Sequence, residues 1–150
     1  MLKNTLVIVP TFNESGYIGK LLPKLFELSL DVLIVDDNSP DGTGDLLDDI
    51  SQHDQRLKVI HRPRKLGLGS AHYLAMIYAM KHRYDLLVTM DADLSHDPKD
   101  IPRLIESLGE GDFLIGSRYA KGGTCDYVGY RKELSRLANI ATRLLMQIDI

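Results

Sequence analysis

Cysteine is almost missing from this chain. Cys125 stands alone among 150 residues, which excludes an internal disulfide and any zinc site built from several cysteines. No apolar run approaches the ~20 residues that a spanning helix needs. The N-terminal run MLKNTLVIVP is cut short by Pro10, then Asn13 and Glu14. It does not have the form of a signal peptide, so a reducing, cytoplasmic setting is expected. An excess of positive charge is also lacking. The formal net charge is -3, which argues against a globally basic nucleic-acid binder. Low complexity, repeats and linkers are absent too. With 44% hydrophobic and 26% charged residues, the composition is that of an ordinary globular domain, and the length fits one domain over residues 1–150.

What is present is an alternation of short β runs and helical stretches. Thr5 to Val9 (TLVIV) is continuous and β-branched, as in a strand buried on both faces. Ile18, Leu21, Leu22, Leu25 and Phe26 then recur at helical spacing, with Pro23 predicting a kink or restart. Val32 to Val35 is a second strand, followed by the turn-rich DDNSPDGT and a short helix over Leu46, Leu47 and Ile50. Leu57 to Ile60 is a third strand. After the loop RPRKLGLG, Ser70 is the expected N-cap of a helix carrying Ala71, Leu74, Ala75, Tyr78 and Ala79. Asp85 to Met90 is a fourth strand and Phe113 to Ile115 a fifth. Between them lies a helix over Ile101, Leu104, Ile105 and Leu108, with Pro102 in its first turn. A long last helix is expected from about Arg131.

Strand and helix in alternation imply parallel strands with right-handed crossovers. In such sheets ligands sit outside the carboxyl ends of the strands. Every strand here runs into a polar segment: PTFNE, DDNSPDG, RPRKLGLG, DADLSH and GSRYAKGG. Five polar segments on one rim point to a shared site.

Asp91 and Asp93 leave a strand at i and i+2, so their side chains share a side. Close carboxylates repel unless a cation lies between them, and Mg²⁺ or Mn²⁺ suits such an oxygen set together with a substrate diphosphate. Taken alone, an Asp-x-Asp is more often a polar loop capping the next helix; its place on the rim favours the metal. Either Asp36 or Asp37 is suited to accept from a ribose or base edge, while Asp41 and Thr43 read as caps of the next helix. A phosphoreceiver domain over residues 31–150 is the remote alternative. It leaves the first thirty residues without a role, and no Lys-Pro pair is present.

Taken in order, Pro10 to Glu14, Asp36 to Thr43, Lys65 to Ala71, Met90 to His96, and Gly116 to Tyr119 with Gly122 and Gly123 resemble the dolichyl- and polyprenyl-phosphate mannosyltransferases of glycosyltransferase family 2. The resemblance runs from residue 5 to about residue 148. It implies an α/β fold of the GT-A, Rossmann-like type, a mostly parallel sheet flanked by helices. It also implies a nucleotide-sugar donor, usually GDP-mannose, a divalent metal and a polyprenyl-phosphate acceptor. By position, Pro10, Phe12 and Glu14 would line the nucleotide pocket, and Val35 and Asp37 the base and ribose region. Asp91, Ala92 and Asp93 would hold the metal and sugar diphosphate, and Arg118 a phosphate. Ser95 stands where some members have a metal-coordinating Gln and others Ser, which makes it the candidate third ligand. Phe12 replaces a common Tyr, keeping the stacking face without the hydroxyl.

The implied reaction is an inverting displacement at the anomeric carbon. Its acceptor phosphate is already largely dianionic at neutral pH, with a second pKa of about 6, so no strong general base is required. Asp91, Asp93 and Arg118 are the expected catalytic groups. Other readings stand beside this one: another donor such as UDP-glucose, or a nucleotide-sugar-binding remnant without turnover. Relatives normally continue with another loop and strand, so part of the acceptor side is expected to lie beyond these residues.

Leu134, Leu137, Ala138, Ala141, Leu144, Leu145 and Ile148 form a helical stripe beside Arg131, Lys132, Arg136 and Arg143. This is either a core-packing helix or one lying on a membrane surface, with Arg131 a second candidate for the lipid phosphate. Lys65 reads equally as a phosphate ligand or a solvated cation. His96 is expected to hydrogen-bond the DADLSH loop, and Cys125 has no evident role.

Overall fold

A computed structural model describes residues 4–109 and 113–117. Its centre is a four-stranded, all-parallel sheet of β1 (Thr5–Thr11), β2 (Asp31–Asp36), β3 (Leu57–His61) and β4 (Leu86–Thr89) in the order β3-β2-β1-β4. Helices α1 (Ser15–Glu27), α2 (Thr43–His53), α3 (Leu68–Lys81) and α4 (Ile101–Leu108) alternate with the strands, and a 3-10 turn at Pro98–Asp100 leads into α4.

The continuous apolar strands are explained by a core on each face. Val7, Val9, Val32 and Ile34 pack against Ile18, Leu21, Leu22 and Leu25 of α1, Leu47 of α2 and Ile101 of α4. Leu6, Ile8, Leu33 and Val35 point the other way, onto Ala71, Ala75 and Ala79 of α3. With a side-chain period of two, a strand buried on both faces cannot alternate apolar with polar residues.

Three expectations need correction, the first of them in part. Of the kink or restart expected at Pro23, the restart does not occur, because α1 is one helix from Ser15 to Glu27. Pro23 is exposed, and residue 19, whose carbonyl loses its partner, is an exposed glycine open to water. Ser70 is not the N-cap of α3, which begins at Leu68 after Gly67. The Ser70 hydroxyl instead reaches back to the carbonyls of Gly67 and Leu66, at 2.8 and 2.9 Å. Gly67, at φ 91°, supplies the left-handed turn that starts the helix early. The fifth strand does not form, because Phe113–Ile115 have no strand geometry and stay exposed. Three apolar residues near Gly111 and Gly116 offer too few ladder bonds to hold a strand by themselves. The helix expected from Arg131, together with Cys125, lies outside the described residues.

Candidate active site at the carboxyl rim

From β1 the chain passes to β2 and β3 on one side, whereas β4 lies on the other. The strand order therefore reverses between β1 and β4. A crevice opens at such a reversal, and ligands of open α/β sheets bind there. The two segments flanking it are Pro10 to Glu14 after β1 and Asp91 to His96 after β4.

The β1 segment is tied to the loop after β2. Thr11 Oγ1 donates to Asp36 Oδ1 at 2.8 Å, inside the core. Asn13 N donates to Ser39 Oγ at 2.9 Å, and Glu14 N to Thr43 Oγ1 at 3.0 Å. Asp36 also accepts from Ser39 N and Ser39 Oγ. Asp41 accepts from Thr43 N and Oγ1 at the start of α2 and from Ser15 N at the start of α1. It serves two helix N-termini, where a carboxylate is favoured. Burial pushes the Asp41 carboxyl up, but hydrogen bonds from Thr43 and Ser15 outweigh it and hold the group well below the carboxylate range.

Asp37 is buried and accepts from Arg62 Nε and, at 3.3 Å, from Leu66 N. Arg62 continues to Ser70 Oγ at 2.6 Å and to the Gly67 carbonyl at 3.1 Å. This buried pair fixes the β3–α3 loop over the end of β2. Asp37 thus has a structural task in addition to its expected contact with a base or ribose. Arg62 did not stand out in the sequence. The available signal was that it opens the basic loop directly after a strand, 25 residues from the carboxylate it meets.

Phe12 is half-buried, with Lys65 Nζ 4.1 Å from its ring centroid. Pro10 is half-buried opposite Val35 in the β1–β2 register. The Val35 side chain is fully buried against α3, so a ligand meets only its main chain.

After β4 the pattern is different. Ala92 is buried in the core, and Asp91 and Asp93 on either side of it are exposed, in the turn that follows the end of β4 at Thr89. Leu94 packs against the same core at φ 63°. That is a left-handed conformation rare for a bulky residue, and it turns the loop back over the strand end. Asp91 N donates to His96 Nδ1 at 3.2 Å, the loop-holding role expected of His96. Ser95 N donates to Asp93 Oδ1 at 2.9 Å. Hydrogen bonds from the Ser95 side chain and main chain lower the Asp93 pKa. Ser95 therefore orients Asp93, whatever it does toward a metal.

Glu14 links the two sides of the crevice. Burial raises its pKa, and the negative charges of Asp93, Asp41 and Asp91 raise it further. Carboxylates after β1 and after β4 therefore act on one another through their charge. Among the described residues no group of three or more His, Cys, Asp or Glu is placed to hold a metal ion. Two exposed carboxylates with room for further oxygens suit a hard cation that completes its shell with phosphates. The donor set fits Mg²⁺ or Mn²⁺ in that open form. Arg118 and Arg131 lie outside the described residues.

The fold and rim define an α/β protein with acidic segments flanking its topological switch point. The match to a family model assigns the class: the chain belongs to glycosyl transferase family 2, matched over residues 6–149. It is 39% identical over 153 residues to a polyprenol monophosphomannose synthase of Mycolicibacterium smegmatis, covering 99% of this chain and 58% of that protein. It is 38% identical over 147 residues to a dolichol-phosphate mannosyltransferase of Pyrococcus furiosus, covering 93% of this chain and 40% of that one. The chain thus spans about 58% or less of the length of these two relatives. The fold is shared with a mannosyltransferase of Pyrobaculum calidifontis solved with GDP-Man and Mn²⁺, at a TM-score of 0.65 and 22% identity over 80% of this chain and 37% of that one. The expected GT-A-type sheet flanked by helices is present. The phosphoreceiver alternative is overturned, because it requires β2 to lie between β3 and β4, whereas β1 lies between β2 and β4.

Proposed function

We propose that this chain carries the donor half of a glycosyltransferase that moves a sugar, mannose from GDP-mannose, to a polyprenyl or dolichyl phosphate with inversion. The observation that carries this reading is the reversal of strand order between β1 and β4, with Glu14 on one side under the charge of the exposed Asp91 and Asp93 on the other. The choice of sugar and acceptor rests on relatives named for polyprenyl- and dolichol-phosphate mannosyl transfer, and that of GDP as the carrier on the family resemblance of the sequence motifs.

Phe12 offers its ring face to the base, and Pro10 and the main chain at Val35 shape the pocket floor. Asp37, held by Arg62, orients the ribose side. Asp91 and Asp93 hold a divalent cation, with Ser95 keeping the Asp93 carboxylate in place and available as a further oxygen. When bound, that cation offsets the charge that develops on the departing diphosphate. Arg118 and Arg131 bring bidentate positive charge to donor and acceptor phosphates. The acceptor phosphate attacks as a dianion, so Asp91 and Asp93 need not take a proton.

Residues 1–150 act as one catalytic domain working at the inner membrane surface. Among the described residues no helix is long and apolar enough to cross a membrane, so contact with the lipid acceptor is peripheral in this proposal.

Thermal-shift titration with GDP, UDP and their sugars, with and without Mn²⁺, tests the donor side. Stabilisation by GDP and GDP-mannose that depends on Mn²⁺ is expected. Preference for UDP would replace the donor, and no response to any nucleotide would overturn the reading. Transfer of radiolabelled mannose to polyprenyl phosphate separates a transferase from a binding remnant.

A further inference from the structure

Helix α3 is apolar on both sides, although the sheet covers only one. Its small residues Ala71, Ala75 and Ala79 face the sheet. Tyr73, Met76, Ile77 and Met80, at i, i+3, i+4 and i+7, are 66%, 51%, 46% and 79% exposed. The other long helices differ. The exposed side of α1 carries Lys20, Lys24 and Glu27, and that of α2 carries Asp45, Asp48 and Asp49. A helix apolar all round is normally buried all round, and a contiguous exposed apolar stripe marks an interaction surface.

The charges around the stripe select its partner. From Arg62 to Tyr84 there are five Lys and Arg and no Asp or Glu, in a chain of net charge -3. Arg62 is neutralised by Asp37. The other four are exposed, Arg64 and Lys65 before the helix and Lys81 and Arg83 at and beyond its end. A second copy docked stripe to stripe would bring cations against cations, with no acid in the segment to pair them. An anionic lipid surface supplies what the patch lacks. Phosphate headgroups meet the cations at both ends, and the acyl boundary receives the apolar side chains between them.

We propose that the outward face of α3, Tyr73, Met76, Ile77 and Met80 between Arg64 and Arg83, is a docking surface for an anionic phospholipid bilayer. This surface is independent of the transfer reaction and of the helix expected from Arg131.

The chain contains no Trp, so Met80→Trp gives a single reporter on this face. Emission of the full chain should move to shorter wavelength with phosphatidylglycerol-containing vesicles and not with pure phosphatidylcholine vesicles. Salt should weaken the effect. Ile77→Glu with Met80→Glu should lower vesicle affinity by at least ~10-fold, and nucleotide-induced thermal shifts should stay as in the parent, showing an intact fold. The proposal is overturned if the double variant co-sediments with anionic vesicles as well as the parent does. It is also overturned if the Trp emission stays unshifted while the protein is vesicle-bound. A blue shift without vesicles that grows with protein concentration would assign the face to a second copy, and overturns it too.

Discussion

Two halves of one rim use the same residue type in opposite ways. On the β2 side, Asp36, Asp37 and Asp41 are all partnered by hydroxyls, main-chain N–H groups or Arg62. On the β4 side, Asp91 and Asp93 are exposed, and their charges add to those acting on Glu14. A carboxylate whose oxygens are engaged within the protein builds the rim. Exposed carboxylates that act on one another through their charge are available to a cation and the phosphates it carries. The comparison predicts that damage to the first half lowers the stability of the fold, while damage to the second leaves it folded and unable to bind.

Arg62→Ala should have the largest effect. It leaves Asp37 buried without its charge partner and frees the loop at Gly67 and Ser70. Losing one member of a buried pair costs about 3–5 kcal/mol. Denaturant titration should show that loss of unfolding free energy. A loss well under 1 kcal/mol would mean that Asp37 belongs with the open half of the rim.

Next in size is Asp91→Asn combined with Asp93→Asn. Mn²⁺-dependent GDP affinity should fall on the order of 100-fold. The melting temperature without ligand should hold or rise, because two charges acting on Glu14 are removed. Unchanged affinity measured by calorimetry would end the metal assignment. A collapse of stability would erase the difference between the halves.

Asp41→Ala should cost about 1 kcal/mol, the usual worth of a helix cap at an exposed position. Its pH dependence has a definite sign. The folded pKa of Asp41 lies below the unfolded value of about 3.9. Its contribution is therefore complete above that unfolded value and disappears as pH falls toward the folded one. The melting-temperature gap between parent and variant should be widest near neutral pH, start to narrow below about pH 4 and shrink steadily as pH falls further toward the folded pKa. A gap that persists in acid would mean that the cap does not act through its charge.

Much of this arrangement was legible in the sequence. The runs TLVIV and VLIV read as strands buried on both faces, and strands alternating with helices placed the four polar segments after β1, β2, β3 and β4 on one rim. Asp91 and Asp93 are both exposed around a buried Ala92, although they lie in the turn beyond β4 and not in the strand whose spacing suggested it. What escaped depended on contacts distant in sequence. Which of Asp36 and Asp37 would be engaged within the protein had no local answer, and both are. Each finds its partner, Thr11 or Arg62, 25 residues away. The start of α3 was misplaced because a serine hydroxyl can bond backward as well as forward. Phe113–Ile115 misled because a β-prone triplet needs partners that no local pattern reveals.

Lys65 separates the two halves most finely. Its ammonium lies over the Phe12 ring, which is also the surface on which a base would stack. An exposed cation–π contact is worth about 0.5–1 kcal/mol, and a base taking the ring face must displace it. Lys65→Ala should then tighten GDP binding about two- to threefold, with the fold unaffected, as read by calorimetry. Phe12→Ala should weaken binding, because it removes the stacking face itself. If Lys65→Ala instead weakens GDP binding and lowers its salt dependence, the ammonium follows the ligand to its phosphates. Lys65 would then act with Asp91 and Asp93 as part of the open half, and the boundary between the halves would run through the basic loop after β3.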